Sequence, residues 1–130
     1  MDLKYFKVII LAAVSDGEIQ SEELEMINQI KSTHPLIKNI PEEDARSAMA
    51  DIYNKVSAGM ETKHILEQLY REFTEEEGHA AYAMAKEICA ADFKILPAER
   101  EFLTLIEEIW NIPEDIKKAI QTSISLRYEV

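Results

Sequence analysis

Ala13-Val14-Ser15-Asp16-Gly17-Glu18-Ile19-Gln20-Ser21-Glu22-Glu23 returns 76 residues later as Cys89-Ala90-Ala91-Asp92-Phe93-Lys94-Ile95-Leu96-Pro97-Ala98-Glu99. In both stretches small apolar residues lead into an Asp, an Ile follows three positions on, and a Glu seven positions on. A second echo follows each copy, Asn39-Ile40-Pro41-Glu42 and Asn111-Ile112-Pro113-Glu114, now 72 residues apart. Self-similarity at a fixed offset points to a duplicated structural unit.

Around these stretches apolar residues recur at helical spacing, and no run alternates with a period of two. Leu3, Phe6, Ile10 and Ala13 line one face of a first helix. Asp16-Gly17 is a turn pair, and Ser21 caps a second helix that carries Leu24, Ile27 and Ile30. Ser32–Asn39 connects to a third helix that begins at Pro41, where a missing N–H costs nothing. Glu42, Glu43 and Asp44 suit its positive end, Ala45, Met49, Ile52 and Val56 form its buried stripe, and Gly59 is its exit. A fourth helix, roughly Thr62–Phe73, buries Ile65, Leu66, Leu69 and Phe73. Thr74 and Glu77 have the spacing of a capping box that opens a fifth, carrying Ala81, Met84, Ala85 and Ile88. A sixth starts at Pro97 and ends at Trp110; a seventh starts at Pro113 with Ile116, Ile120 and Ile124 on one side. The fold expected is all-α, a single-domain seven-helix bundle spanning residues 1–130. Its repeat halves are approximately residues 2–58 and 75–126, joined by the fourth helix.

The composition narrows the function classes. With 25 acidic against 14 basic side chains and a net charge of −11, the chain lacks the clustered Lys and Arg that nucleic acid requires. An anionic membrane surface would repel it as well. The natural complement is a cation or a basic protein partner. One cysteine excludes an internal disulfide and suits a reducing compartment. No charged-then-apolar leader is present, and the apolar run Val8–Val14 is too short to cross a bilayer. The expected location is the cytoplasm, without direct membrane insertion.

A helix, an Asp-Gly turn and a Glu seven residues beyond the Asp, given twice in an all-α chain, resembles the tellurite-resistance TerB family. The resemblance runs from about Leu3 to Ile124, and the stretch Ala13–Glu23 carries it best. The second copy departs from the family pattern with Phe93 at the place of a Gly. The resemblance implies a non-enzymatic module of tellurite and chemical stress response. It also implies action beside membrane-associated and metal-binding proteins of stress operons.

Four acidic residues are the candidate site: Asp16, Glu23, Asp92 and Glu99. Hard cations take carboxylate oxygens, and two related half-motifs offer four of them to a divalent cation. Two carboxylates about 5 Å apart repel by roughly 3 kcal/mol at an effective dielectric of about 20, so convergence would require a counter-charge. The same residues also suit plain folding roles. Asp16 and Asp92 can accept backbone N–H bonds in their own turns, and Glu23 and Glu99 stand in the first turn of a helix. An EF-hand is not expected, because Ala12 and Val14 (Ile88 and Ala90 in the second copy) stand where that loop needs oxygen ligands. Glu61-x-x-His64 and Glu76-x-x-His79 match a di-iron element, but both sit at helix starts, where solvated histidines are expected, as is His34 in its loop. Cys89 is expected to be inert packing. No nucleophile motif or phosphate loop occurs, so catalysis is not expected. The alternatives are a metal-dependent enzyme with a carboxylate-rich site, or a scaffold whose repeat is purely structural.

Overall fold

The structure, a computed structural model, describes residues 3–14, 25, 27–29, 31–32, 34–35, 37–90 and 97–128. Among them every regular element is a helix: α1 (Leu3–Ala13), α2 (Glu42–Ser57), α3 (Thr62–Tyr70), α4 (Glu75–Ala90), α5 (Pro97–Ile109) and α6 (Glu114–Tyr128). Residues 25, 27–29 and 31, in the stretch assigned by sequence to a second helix, are helical too, as is Ser32, expected to open the connection, and Ile27 is buried. The all-α bundle is as expected from the periodicity.

Helix α1 is the centre of that bundle. It packs against α2, α3, α4 and α5. Phe6, Val8, Ile9, Ile10 and Leu11 are all at most 1% exposed. Those positions spread around a 3.6-residue helix, so along this run only Lys7, paired with Asp51, keeps partial exposure. The sequence reading assigned it a single apolar stripe; enclosure by four neighbours is what makes the remaining residues core as well. Each side chain of this size stabilises the fold by about 1.5–3 kcal/mol on burial.

The helix ends explain where the chain turns. At the close of α2, Gly59 has φ 87°, and Met60 N–H donates to Lys55 O at 3.0 Å. This is a Schellman stop, which needs a left-handed residue just past the helix. At the close of α5 the same device uses Asn111, with φ 49°, and Ile112 N–H donates to Glu107 O at 3.2 Å. Asn accepts this conformation because its short polar side chain tolerates it better than a branched one. Pro41 sits one residue before α2 (φ −58°, ψ 146°) rather than at its first position, and its carbonyl accepts Ala45 N–H at 3.0 Å. Helix α3 ends at Tyr70, three residues short of the expected Phe73. There Glu72 and Phe73 N–H groups fold back onto Leu69 and Tyr70 carbonyls in a tight turn.

The capping box at the start of α4 forms as its spacing requires. Thr74 N–H donates to Glu77 Oε1 at 2.9 Å, and Glu77 N–H donates to Thr74 Oγ1 at 3.2 Å. Glu77 has a second task. Its Oε2 receives Lys4 Nζ at 2.7 Å, while the same ammonium donates to Glu72 O at 3.1 Å. Lys4 also lies 5.3 Å from the centre of the Phe73 ring and 5.8 Å from that of Tyr5. Tyr5 meets Phe73 edge-on at 5.4 Å, and Phe73 meets Trp110 at 5.2 Å. The first turns of α1 and α4 are therefore held together by charge and by aromatic packing.

Candidate functional site

Of the four candidate carboxylates, Asp16, Glu23 and Asp92 lie outside the described residues. Glu99 is described: it is half-buried in the first turn of α5. A negative side chain there opposes the positive end of the helix dipole, the folding role anticipated from the sequence. Among the described residues, no group of three or more His, Cys, Asp or Glu side chains is placed to hold one metal ion.

The other motifs separate cleanly. Ala12, Val14 and Ala90, which occupy ligand places of an EF-hand alignment, are buried apolar residues of the core. Glu61 precedes α3 and is exposed, as are His64 and Glu76. His79 differs from the expected solvated histidine. It is half-buried, and its Nε2 is enclosed without a hydrogen-bond partner among the described residues, as is Trp110 Nε1. Spacing alone could not show this, because the enclosure depends on distant parts of the chain. Cys89 is buried in α4, consistent with packing.

A polar cluster that the sequence reading missed joins α4, α5 and α6. Tyr82 is wholly buried, and its hydroxyl donates to Glu107 Oε2 at 2.6 Å. Lys86 Nζ, one turn further along α4, lies 3.4 Å from the same hydroxyl oxygen and donates to it. From α6, Lys117 Nζ stands 3.9 Å from Glu107 Oε1 and 2.7 Å from Glu114. Burial and the Glu107 carboxylate push the Tyr82 hydroxyl well above the ordinary tyrosine range, so it stays protonated and keeps donating. Burial pushes the Lys86 ammonium below the ordinary lysine range, against the pull of Glu107 and with help from the like charge of Lys117. Glu114 is lowered and Lys117 raised by their mutual hydrogen bond. The only sequence signal for this cluster was an i, i+4 Tyr–Lys pair in α4, which is common in helices that do nothing of the kind.

Beside the cluster, a groove of about 230 Å³ runs between α4 and α6, lined by Ala83, Glu87, Ile120, Ile124 and Arg127 among others. Arg127 pairs with Glu87 across it. A wider concavity of about 660 Å³ lies along α5 by Arg100, Glu101, Thr104 and Glu108.

No protein-family model matches this chain, and no curated protein or solved structure matches it. No described helix is long and apolar enough to cross a membrane.

Proposed function

We propose that this protein is a TerB-like, non-enzymatic module of chemical stress response, built from a duplicated three-helix unit. Asp16, Glu23, Asp92 and Glu99 would form an acidic pole that engages a divalent cation or a basic surface of a protein partner. The partner class is that of membrane-associated stress-operon proteins, met from the cytoplasm.

The observation that carries this reading is the matched burial of the two halves. Phe6 and Tyr82, Ile9 and Ala85, Val14 and Ala90, and Ile27 and Leu103 are pairs at the 76-residue offset, and every member is buried. Ile40 and Ile112, and Ile52 and Ile124, continue the match at the 72-residue offset. The packing repeats too: α1 packs on α2 as α4 packs on α6, and α1 and α4 pack on each other. A single unit used twice supports both features.

The shared start of α1 and α4 supports a common pole. Lys4–Glu77 and Tyr5–Phe73 hold the first turns of the two helices together. The chain then runs away from that joint along both helices, and in the sequence Asp16 and Asp92 follow shortly after their ends. Carboxylates gathered there would repel by roughly 3 kcal/mol per close pair, which a divalent cation or a Lys/Arg partner relieves.

Calorimetric titration with calcium, magnesium, manganese and zinc tests the proposal on wild type and on Asp16→Asn/Asp92→Asn. Saturable binding that the double variant loses supports the cation. Silence with all four metals, together with an unchanged melting temperature, overturns it and leaves only the partner surface to be tested by binding to a basic peptide.

A further inference from the structure

We propose that α6 is a strap that swings off α4 as a unit while the other helices stay packed. Ile124 is its one buried side chain among the described residues, whereas α2, of similar length, buries Ala45, Ala48 and Ile52. The rest of its apolar stripe, Ile116 and Ile120, is only partly buried against the core. Among the described helices it packs chiefly on α4, and even there a groove of about 230 Å³ runs beside Ala83, Ala119 and Ser123. Helix α1, by contrast, is enclosed by four neighbours. A helix held by so little apolar area sits at the low end of the range of local stabilities within one fold.

The polar links to α6 can part without stranding a charge. Lys117 stands 3.9 Å from Glu107 of α5 but 2.7 Å from Glu114 of its own helix, so it leaves with a partner. Glu107 keeps the Tyr82 hydroxyl at 2.6 Å, a bond made between α4 and α5. Arg127 pairs with Glu87 of α4, and its Nε also donates to Ser123 O within α6 at 3.4 Å. Breaking an ion pair is costly when it leaves a buried charge alone, and here each side stays paired or solvated. Pairs that keep this much exposure hold weakly and are screened by salt.

The hinge is the turn between α5 and α6. Trp110 and Ile112 are buried and anchor it to the bundle, with Asn111 between them at φ 49°. Opening about that turn bares the α4 surface around Ala83 and Glu87 together with the Ile116, Ile120 and Ile124 stripe of α6. The open state thus offers two apolar surfaces that the closed bundle pairs with each other.

Native-state hydrogen exchange followed by NMR tests the strap amide by amide. Amides of residues 118–126 should exchange at least about tenfold faster than those of Ile9, Ile10 and Leu11, and should share one opening constant. Arg127→Met should speed α6 exchange by about two- to fivefold. Ile124→Ala, which removes the buried anchor, should speed it by at least about tenfold. Leu11→Ala weakens the enclosed helix α1, which α6 does not cover; it should speed α1 exchange and leave that of α6 unmoved. Exchange in α6 as slow as in α1, rates that only grade inward from the helix end, or equal acceleration of both helices by Leu11→Ala overturns the proposal.

Discussion

Position 11 is a leucine that is fully buried in α1; position 87, which is 76 residues on in α4, is a half-buried glutamate paired with Arg127. Position 6 is a buried phenylalanine, and position 82 is a buried tyrosine whose hydroxyl must find Glu107. The helix pairs α1–α2 and α4–α6 answer the same packing problem with different chemistry. The first is closed mainly by apolar side chains, with the part-exposed Lys7–Asp51 ion pair at its edge. The second leaves a groove beside Ala83 and Glu87, spanned by the Glu87–Arg127 pair, and both of its helices reach Glu107 of α5 through Tyr82 and Lys117. What the difference teaches is that two helix pairs of one bundle need not be held by the same kind of interaction. Apolar burial is indifferent to pH and salt, whereas the polar fastening is directional and conditional.

The contrast is broken most severely at Leu11. Leu11→Ala should lower stability by about 2–5 kcal/mol, read as a fall in the denaturation midpoint, because α1 is enclosed by four helices and cannot collapse into the void. The corresponding Glu87→Ala should cost far less.

Acid should act on the polar joints and leave the apolar ones alone. Lys4, with the Thr74 backbone amide, holds Glu77 down to about 2. A carboxylate depressed in the folded state contributes stability that is present above its ordinary value and lost as pH falls toward the folded one. Thermal melts of wild type should therefore lose stability between about pH 4.5 and 2, with a shallower decline in Glu77→Gln. An identical slope in the two proteins would remove Glu77 from the account.

Tyr82→Phe sharpens the comparison, since it makes the second half resemble the first. It removes the hydroxyl bond and leaves the ring, so a loss of about 1 kcal/mol is expected in chemical denaturation. A loss near zero would mean that Glu107 is satisfied by Lys117 and solvent alone. The smallest effect is expected for Glu87→Leu, which copies position 11 onto the groove. The lost ion pair with half-exposed Arg127 and the gained apolar contact should leave stability within about 0.5 kcal/mol of wild type.

How far the sequence could be read depends on the range of the interaction concerned. The Schellman stop at Gly59 and the Thr74–Glu77 box were legible, because each is decided by residues within one or two turns. Asn111 was seen only as part of an echo. It takes the left-handed conformation, while the described Asn39 does not. The enclosure of α1 was missed because a periodicity argument assigns faces but does not count neighbours. The Lys4–Glu77 bond, 73 residues apart, and the Tyr82–Glu107 bond, 25 apart, leave no local pattern. Of the acidic candidates only Glu99 lies among the described residues, and its place in the first turn of α5 was readable from the proline two positions before it.

The central position of α1 also has a consequence for synthesis. Its neighbours include α5, which ends at Ile109, so a helix near the start of the chain waits for roughly 100 further residues; at about 5–20 residues per second, that is on the order of 5–20 s. For most of that interval Val8-Ile9-Ile10-Leu11 lacks a complete α4, and until its end it lacks a complete α5. The side chains that the finished bundle encloses most fully are thus among those that wait longest for their partners.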